Sequence, residues 1–225
     1  MSLVPPPEGA PAPPERRPQA VLFDFDGTLI DSAPGILASF EAALRATGVR
    51  PAVPLAPSLI GPPLAKTVAT LIGRDDPAAV QPVIEAFRAD YDTAGYRSTA
   101  VYEGVTAMLD GLADAGIDLH IVTNKRIAPT RRILEHLGWT SRFAGVYALD
   151  AIEPAAAHKP ALVTEVLRRE GLEAARSWMV GDSAEDRRAA ESNGLRFFGA
   201  AWGYGAADAE GLRHPLELLA ALPTR

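Results

Sequence analysis

The sequence predicts an α/β protein, with a Rossmann-like, doubly wound parallel sheet as its core and a small helical cap domain inserted into it. From residue 104 onward, short apolar runs of strand type alternate with helical patterns of about 10–15 residues. Such alternation is typical of right-handed crossovers between parallel strands. Between the first strand and that region, the apolar residues follow a helical period and show no convincing strand.

The first predicted element is a strand over about residues 20–25. A helix follows, beginning near Ser32-Ala33-Pro34 and stopping at Gly48. A proline-rich connection and further helical pattern then extend to about residue 98. We therefore assign residues 1–18 to a disordered, proline-rich tail, 19–32 and 103–225 to the α/β core, and 33–102 to the cap.

The remaining elements belong to the core. Four helical patterns end at glycines, which are favoured just after a helix. These glycines are Gly116, Gly138, Gly171 and Gly194. The predicted strands of this region are DLHIVT (118–123), GVYAL (145–149), SWMVG (177–181) and RFFGA (196–200).

Composition excludes several classes of function. The 225 residues include no cysteine, which rules out disulfides and thiolate metal sites and permits a reducing cytoplasm. The net charge of −6 argues against nucleic-acid binding, and no apolar run approaches the roughly 18 residues of a membrane span. We expect a cytoplasmic monomer or weak homodimer with a small-molecule partner.

Polar residues gather where the predicted strands end. In an open parallel sheet, ligands bind beyond the carboxyl ends of the strands. Asp24 and Asp26 interrupt the apolar first strand, and carboxylates at i and i+2 project toward the same face. They repel at close range, and taking either out of water is costly unless a cation or a hydrogen-bond network compensates. The other candidates at this edge are Gly27, Thr123, Asn124, Lys159, Asp182 and Asp186.

This set of side chains indicates a magnesium site. All the candidate ligands are hard oxygens, and Mg²⁺ accepts one or two carboxylates together with substrate phosphate. A bound cation would hold one carboxylate and leave the other free for proton transfer.

Four segments resemble, in order, the motifs of the haloacid dehalogenase-like phosphohydrolases: DFDGTLIDS, VTNK, HKP and VGDSAEDRRAAESNG. The helical insertion looks like the four-helix cap of that family. The tract WGYG (202–205) is similar to the phosphoglycolate phosphatase branch. VYEGV (101–105) and GPPL (61–64) are similar to bacterial 5′-nucleotidase-like members.

The resemblance implies a role for each residue. Asp24 would be the nucleophile that forms an aspartyl-phosphate, and Asp26 the general acid and then base. Mg²⁺ would be held by Asp24, the backbone carbonyl of Asp26 and Asp182, with Asp186 in its outer shell. The residues that would bind the phosphoryl group are Gly27, Thr123, Asn124 and Lys159.

Other polar residues receive structural assignments. Asp31 and Ser32 are interpreted as residues that cap the following helix. His158 is placed outside the site, and Trp202 and Tyr204 are expected to pack the last loop. Two cap positions, Gly61 and Lys66, are candidates for substrate specificity, because GPPL looks like the specificity loop of the cap.

The sequence thus predicts a Mg²⁺-dependent phosphatase of small phosphomonoesters, with 2-phosphoglycolate as leading substrate and a nucleoside monophosphate second. Dehalogenase and phosphonatase relatives lack the second aspartate, and sugar phosphomutases usually have valine in place of Thr28. A phospho-acceptor signalling domain would lack the large insertion. A binding protein that has kept the fold is the remaining alternative.

Overall fold

The computed structural model describes residues 17–153, 155–205 and 211–223. The strands are β1 (Ala20–Phe23), β2 (Ile30–Asp31), β3 (Ala100–Val101), β4 (Asp118–Thr123), β5 (Gly145–Ala148), β6 (Ser177–Gly181) and β7 (Arg196–Gly199). The helices are α1 (Ala33–Thr47), α2 (Leu64–Ile72), α3 (Pro77–Tyr91), α4 (Val105–Asp114), α5 (Ile127–His136), α6 (Lys159–Glu170), α7 (Ala184–Asn193) and α8 (Glu217–Ala220).

The central sheet has five parallel strands in the order β5-β4-β1-β6-β7. Strand β1 lies in the middle, with Ala20 opposite Asp118 of β4 and Ser177 of β6. The chain proceeds outward from β1 in both directions, first to β4 and β5 on one side and then to β6 and β7 on the other. This confirms the predicted doubly wound arrangement. The carboxyl ends of β1, β4 and β6 therefore meet at one edge.

Alternate residues of β1 face the two sides of the sheet. Val21 and Phe23 pack with the apolar residues of α4 and α5, whereas Ala20 and Leu22 pack with those of α6 and α7. Every β1 residue is fully buried. A strand covered on both faces needs the near-continuous apolar run that the sequence shows here.

The cap has its own apolar core, built by α1, α2 and α3. Asp76 begins α3 by accepting the backbone N–H of Ala79 at 2.9 Å, which satisfies one of the free donors at the helix start. The rings of Phe40 on α1 and Phe87 on α3 stack with centroids 4.3 Å apart. The cap thus packs as a unit above the strand ends.

Some predicted elements differ from those observed. Strand β1 ends at Phe23, two residues before the predicted end, so Asp24 and Phe25 lie outside it. The insertion contains three α-helices and two short 3₁₀ segments rather than four helices. Strands β2 and β3 pair antiparallel, with Ile30 opposite Val101, where the chain enters and leaves the cap. Two-residue strands are too short for a periodic pattern to reveal.

Most of the predicted tail lies outside the described residues. Its last two residues are described and do contact the core: Pro18 is buried, and Arg17 donates from Nε to the carbonyl of Pro223 at 3.4 Å. Within the described ranges, no helix combines the length and apolar character that crossing a membrane requires.

Candidate active site

The candidate active site begins where β1 ends. Asp24 is held there by its backbone N–H, which donates to the carbonyl of Val180 on β6 at 2.9 Å. The Asp24 residue is only 5% exposed. Burying a carboxylate is costly unless a cation or several donors compensate, so the neighbours of Asp24 determine what it can do.

The main partner of Asp24 is Lys159, the first residue of α6. The Lys159 Nζ atom lies 2.8 Å from Asp24 Oδ1 and 2.5 Å from Asp186 Oδ1, and all three residues are buried. The other oxygen of Asp186 accepts from the N–H and the hydroxyl of Ser183 at 3.0 and 2.6 Å. Asp186 therefore orients Lys159 and begins α7.

Burial raises the pKa of Asp24 well above its ordinary value. Lys159 lowers that pKa, and the negative charges of Asp186 and Asp182 raise it further. Burial alone would lower the pKa of Lys159, but Asp186 and Asp24 outweigh it and the net shift is upward. Lys159 is therefore held in its protonated form beside Asp24 and Asp186.

Asp182, just after β6, is positioned by the last loop. Its Oδ2 atom accepts the backbone N–H groups of Tyr204 and Gly205 at 2.7 and 3.0 Å. A Cβ atom at Gly205 would lie 1.9 Å from the Asp182 carbonyl oxygen, so glycine is required for this approach. Burial raises the pKa of Asp182, and those two backbone donors partly offset the shift.

The carboxylate cluster fits a divalent cation. Asp24, Asp182 and Asp186 each offer an oxygen within 4.8 Å of the others. Lys159 uses Oδ1 of Asp24, and the loop donors use Oδ2 of Asp182, so each of these carboxylates keeps its second oxygen for a metal. A buried group with three carboxylates and one lysine is net anionic, and hard oxygen donors suit Mg²⁺. The predicted contribution of the Asp26 carbonyl stays a prediction.

Asp26 has a separate set of partners, although the sequence placed the two aspartates on one face of a strand. Its Oδ1 accepts from the Ser32 hydroxyl at 2.5 Å, and Lys125 Nζ lies 3.0 and 3.1 Å from its two oxygens. Both aspartates lie beyond the last residue of β1, so the strict alternation of a strand does not fix where their side chains lie. Asp24 is thus paired with Lys159 and Asp26 with Lys125.

Lys125 and Tyr91 are site residues that the sequence analysis missed. The Lys125 ammonium also bonds the Tyr91 hydroxyl at 2.8 Å and lies 4.7 Å from the centre of that ring. Tyr91 is the last residue of α3, so this contact joins the core to the cap. Lys125 lies in the VTNK segment, so the sequence does carry a signal for it. Tyr91 lies in none of the four motif segments, so the sequence does not mark it as a site residue.

Ser32 also differs from its sequence interpretation. It occupies the position before α1, but its hydroxyl bonds Asp26 instead of capping the helix. Asp31 does accept the N–H of Ala33, at 3.1 Å, and it accepts the Tyr204 hydroxyl at 2.7 Å. The expected packing role of Tyr204 is therefore present, and Trp202 similarly donates from Nε1 to the carbonyl of Thr28 at 2.9 Å.

Thr123 and Asn124, both predicted to bind phosphate, differ in whether they keep a hydrogen-bond donor for a ligand. Thr123 is buried at the end of β4, and its oxygen accepts the N–H of Lys125 at 3.1 Å, which leaves the hydroxyl hydrogen for a ligand. Asn124 donates from Nδ2 to Gly61 and to Glu185, each at 2.9 Å. Both its amide hydrogens are used, so in this arrangement Asn124 connects the core to the cap loop.

Gly27 and His158 serve local structure in this arrangement. Gly27 has φ +81°, and a Cβ atom there would lie 2.4 Å from Asp182 Oδ2, so the turn needs glycine. Its N–H donates to the carbonyl of Ile30 at 2.9 Å and is not free for phosphate. His158 accepts the N–H of Ala161 through Nδ1 at 3.2 Å and caps α6, in line with its placement outside the site.

A cavity between core and cap opens onto Asp24 and Asp26. Gly61 lines it, as expected of a specificity candidate. Lys66 is exposed and is absent from the described lining, because α2 turns Leu64 and Thr67 inward instead. Successive helical residues are about 100° apart, so neighbouring positions cannot all face the cavity. The described lining comprises Asp24, Asp26, Ile36, Phe40, Leu59, Ile60, Gly61, Pro62, Leu64, Thr67, Phe87, Tyr91, Thr123, Asn124, Lys125, Arg126 and Pro129.

Two known proteins of similar length are related in sequence to this chain. The chain is 36% identical to a phosphoglycolate phosphatase of Xylella fastidiosa over 191 residues, covering 83% of this chain and 82% of that protein. It is 30% identical to a 5′-nucleotidase of Pseudomonas aeruginosa over 189 residues, covering 84% and 85%.

A third relative is the tyrosine-protein kinase PtkA of Mycobacterium tuberculosis, 35% identical over 196 residues. The match covers 87% of this chain but only 66% of PtkA. The solved structure of PtkA superposes with a TM-score of 0.72 at 32% identity, covering 88% of this chain and 90% of that one.

The family model described as haloacid dehalogenase-like hydrolase matches residues 21–200, which span the first strand, the cap and the carboxylate cluster. The sequence motifs, the doubly wound sheet and the inserted helical cap thus lead to one assignment: the chain belongs to the haloacid dehalogenase-like hydrolases.

Proposed function

We propose that this protein is a Mg²⁺-dependent phosphatase that hydrolyses a small phosphomonoester through a phosphorylated aspartate. The observation that carries the proposal is the pair of buried aspartates with separate lysine partners. Asp24 lies 2.8 Å from Lys159 within the carboxylate cluster, whereas Asp26 lies 3.0 Å from Lys125 at the cavity. One carboxylate can therefore act as nucleophile while the other handles protons.

The reaction has two steps. An oxygen of Asp24 bonds to phosphorus while the bond to the leaving oxygen breaks, and that oxygen takes a proton from Asp26. Water then bonds to phosphorus as the Asp24–phosphorus bond breaks, and Asp26 takes the proton of the water. The first product is the alcohol and the second is inorganic phosphate, and both aspartates return to their starting states.

Charge neutralisation would come from three sources. Lys159 offers its ammonium beside Asp24, and Thr123 offers its hydroxyl hydrogen. A Mg²⁺ ion held by Asp24 and Asp182 would supply positive charge to the phosphoryl oxygens and keep the buried Asp24 ionised. Phosphoryl transfer depends mainly on such positioning and electrostatics, which is why a compact set of residues suffices.

The relatives suggest substrates but do not decide among them. The predicted 2-phosphoglycolate and nucleoside monophosphates correspond to the names of two relatives. The PtkA name raises a third possibility, in which a tyrosine hydroxyl replaces water as the acceptor. A phosphoenzyme on Asp24 is common to hydrolysis and to transfer, so the acceptor must be measured.

Turnover of p-nitrophenyl phosphate tests the proposal. We expect steady release of nitrophenolate and phosphate with Mg²⁺ present and loss of both in excess chelator, with activity restored by added Mg²⁺, because the cluster is net anionic without metal. Full activity in chelator would contradict the metal requirement. The absence of phosphate release, together with labelling of a tyrosine peptide from ATP, would favour the kinase alternative.

Lys125→Met gives a second test, of how Asp26 is positioned. The variant keeps the length of the side chain but removes the ion pair with Asp26 and the contact with Tyr91. We expect kcat for alkyl phosphates to fall by about tenfold or more, up to the roughly 10²–10⁴-fold that is typical of lost acid–base catalysis, while KM changes less.

The matching control is a double-mutant cycle measured by steady-state kinetics. If Lys125 acts through Asp26, then Lys125→Met should add little to the loss already caused by Asp26→Asn. Additive losses in the double variant would show that Lys125 contributes independently, for example by contacting substrate.

A further inference from the structure

The cap side of the cavity is apolar and aromatic. Its described lining comes from α1, α2, α3 and the loop before α2, and the side chains are Ile36, Phe40, Leu59, Ile60, Pro62, Leu64, Thr67, Phe87 and Tyr91. The Phe40, Phe87 and Tyr91 rings form a continuous stack, with centroid separations of 4.3 and 5.2 Å. Thr67 donates its hydroxyl to the carbonyls of Leu59 and Pro62, and the Tyr91 hydroxyl accepts from Lys125, which leaves the Tyr91 hydroxyl hydrogen as a neutral donor.

Each cation in the described lining is already paired with a carboxylate. Lys125 is bound to both oxygens of Asp26. Arg126 makes two bonds to Asp92, at 2.6 and 3.0 Å, with both side chains about one-fifth exposed. Asp92 follows directly after α3, so this pair also ties the cap to the core.

A second anionic group on the substrate would find no unpaired cation in the described lining of this cavity. The carboxylate of 2-phosphoglycolate would enter a cavity whose two described cations are already bound to Asp26 and Asp92, so it must displace one of those partners or rely on neutral donors such as the Tyr91 hydroxyl. Removing a carboxylate from water without a partner is strongly unfavourable. A neutral apolar group would instead gain from leaving water, and a flat ring could pack on the aromatic stack.

We propose that the site takes phosphomonoesters whose alcohol part is neutral and apolar, with an aromatic group preferred, and that 2-phosphoglycolate is a poor substrate. This inference rests on the proposed phosphatase activity and names its substrate class. The phosphate end would meet Asp24, Thr123 and Lys159, and the alcohol part would meet the rings of the cap.

Three substrates test the inference in the wild-type enzyme with Mg²⁺: benzyl phosphate, propyl phosphate and 2-phosphoglycolate. Each releases a primary alcohol, so differences in kcat/KM report mainly on the rest of the molecule. We expect benzyl phosphate to exceed 2-phosphoglycolate by about tenfold or more, which corresponds to about 1.4 kcal/mol, with propyl phosphate between them. An equal or higher kcat/KM for 2-phosphoglycolate would overturn the inference and leave the phosphatase proposal intact.

A gain-of-function variant provides a readout that misfolding cannot mimic. Leu64 lines the cavity and is half-buried, so Leu64→Lys would place an additional cation against the substrate's alcohol part. We expect this variant to raise kcat/KM for 2-phosphoglycolate relative to benzyl phosphate, whereas the uncharged Leu64→Met should keep the wild-type order. If Leu64→Lys leaves the ratio of kcat/KM for 2-phosphoglycolate to that for benzyl phosphate unchanged, this would contradict the inference that the cap side of the cavity contacts the substrate's alcohol part. Failure of the wild type to hydrolyse all three substrates would instead overturn the phosphatase proposal, and this inference with it.

Discussion

Asp24→Asn is expected to abolish turnover of every phosphomonoester, because an amide oxygen cannot form the phosphoenzyme. The substitution keeps the size of the side chain and leaves Lys159 paired with Asp186 at 2.5 Å, so the fold should persist. Turnover should fall to the background of the assay with activated and unactivated substrates alike. The measurement is steady-state phosphate release, accompanied by the melting temperature of the variant.

The control for this variant is Asp118→Asn. Asp118 is exposed at the opposite end of β4, and surface substitutions of this kind usually change stability by less than about 0.5 kcal/mol. It should retain wild-type kcat. Residual turnover by Asp24→Asn within about tenfold of wild type would assign the nucleophile to another residue.

Asp26→Asn should produce an effect that depends on the leaving group. Asparagine keeps an acceptor for the Ser32 hydroxyl and Lys125 Nζ, so it avoids leaving a buried lysine without any partner. It cannot transfer protons as Asp26 would. General acid–base catalysis typically contributes about 10²–10⁴-fold, and we expect a loss of this size with alkyl phosphates.

With p-nitrophenyl phosphate the same variant should behave differently. Nitrophenolate departs with little protonation, so Asp24 is still phosphorylated, but the second step lacks its base. Rapid-quench kinetics should show a burst of about one equivalent of nitrophenolate followed by slow turnover. Near-normal steady-state hydrolysis of alkyl phosphates by Asp26→Asn would remove Asp26 from the mechanism.

The sequence predicts the core of the fold well because the relevant signals are local. Strands β4 and β6 were predicted with their observed bounds, since each is a short apolar run with clear ends. Helices α1, α6 and α7 end at glycines with φ between 64° and 73°, a conformation that favours glycine. The edge of the sheet where Asp24, Thr123 and Asp182 meet then follows from parallel topology alone.

Partner choice between distant residues could not be predicted in the same way. Asp24 and Asp26 lie beyond the end of β1, and their partners Lys159 and Lys125 lie far away in sequence. The contact of Lys125 with Tyr91 depends on how the cap sits on the core, and sequence periodicity carries no information about that placement. The exposure of Lys66 likewise depends on the rotation of α2, which a single lysine does not reveal.

Trapping of the phosphoenzyme tests the central claim most directly. Asp26→Asn, mixed with p-nitrophenyl phosphate and Mg²⁺ and quenched in acid during the burst, should carry the mass of one phosphoryl group on the peptide that contains Asp24. The double variant Asp24→Asn with Asp26→Asn should carry none. A phosphoryl group on any other residue, or hydrolysis by Asp26→Asn without a trapped phosphoenzyme, would contradict nucleophilic catalysis by Asp24.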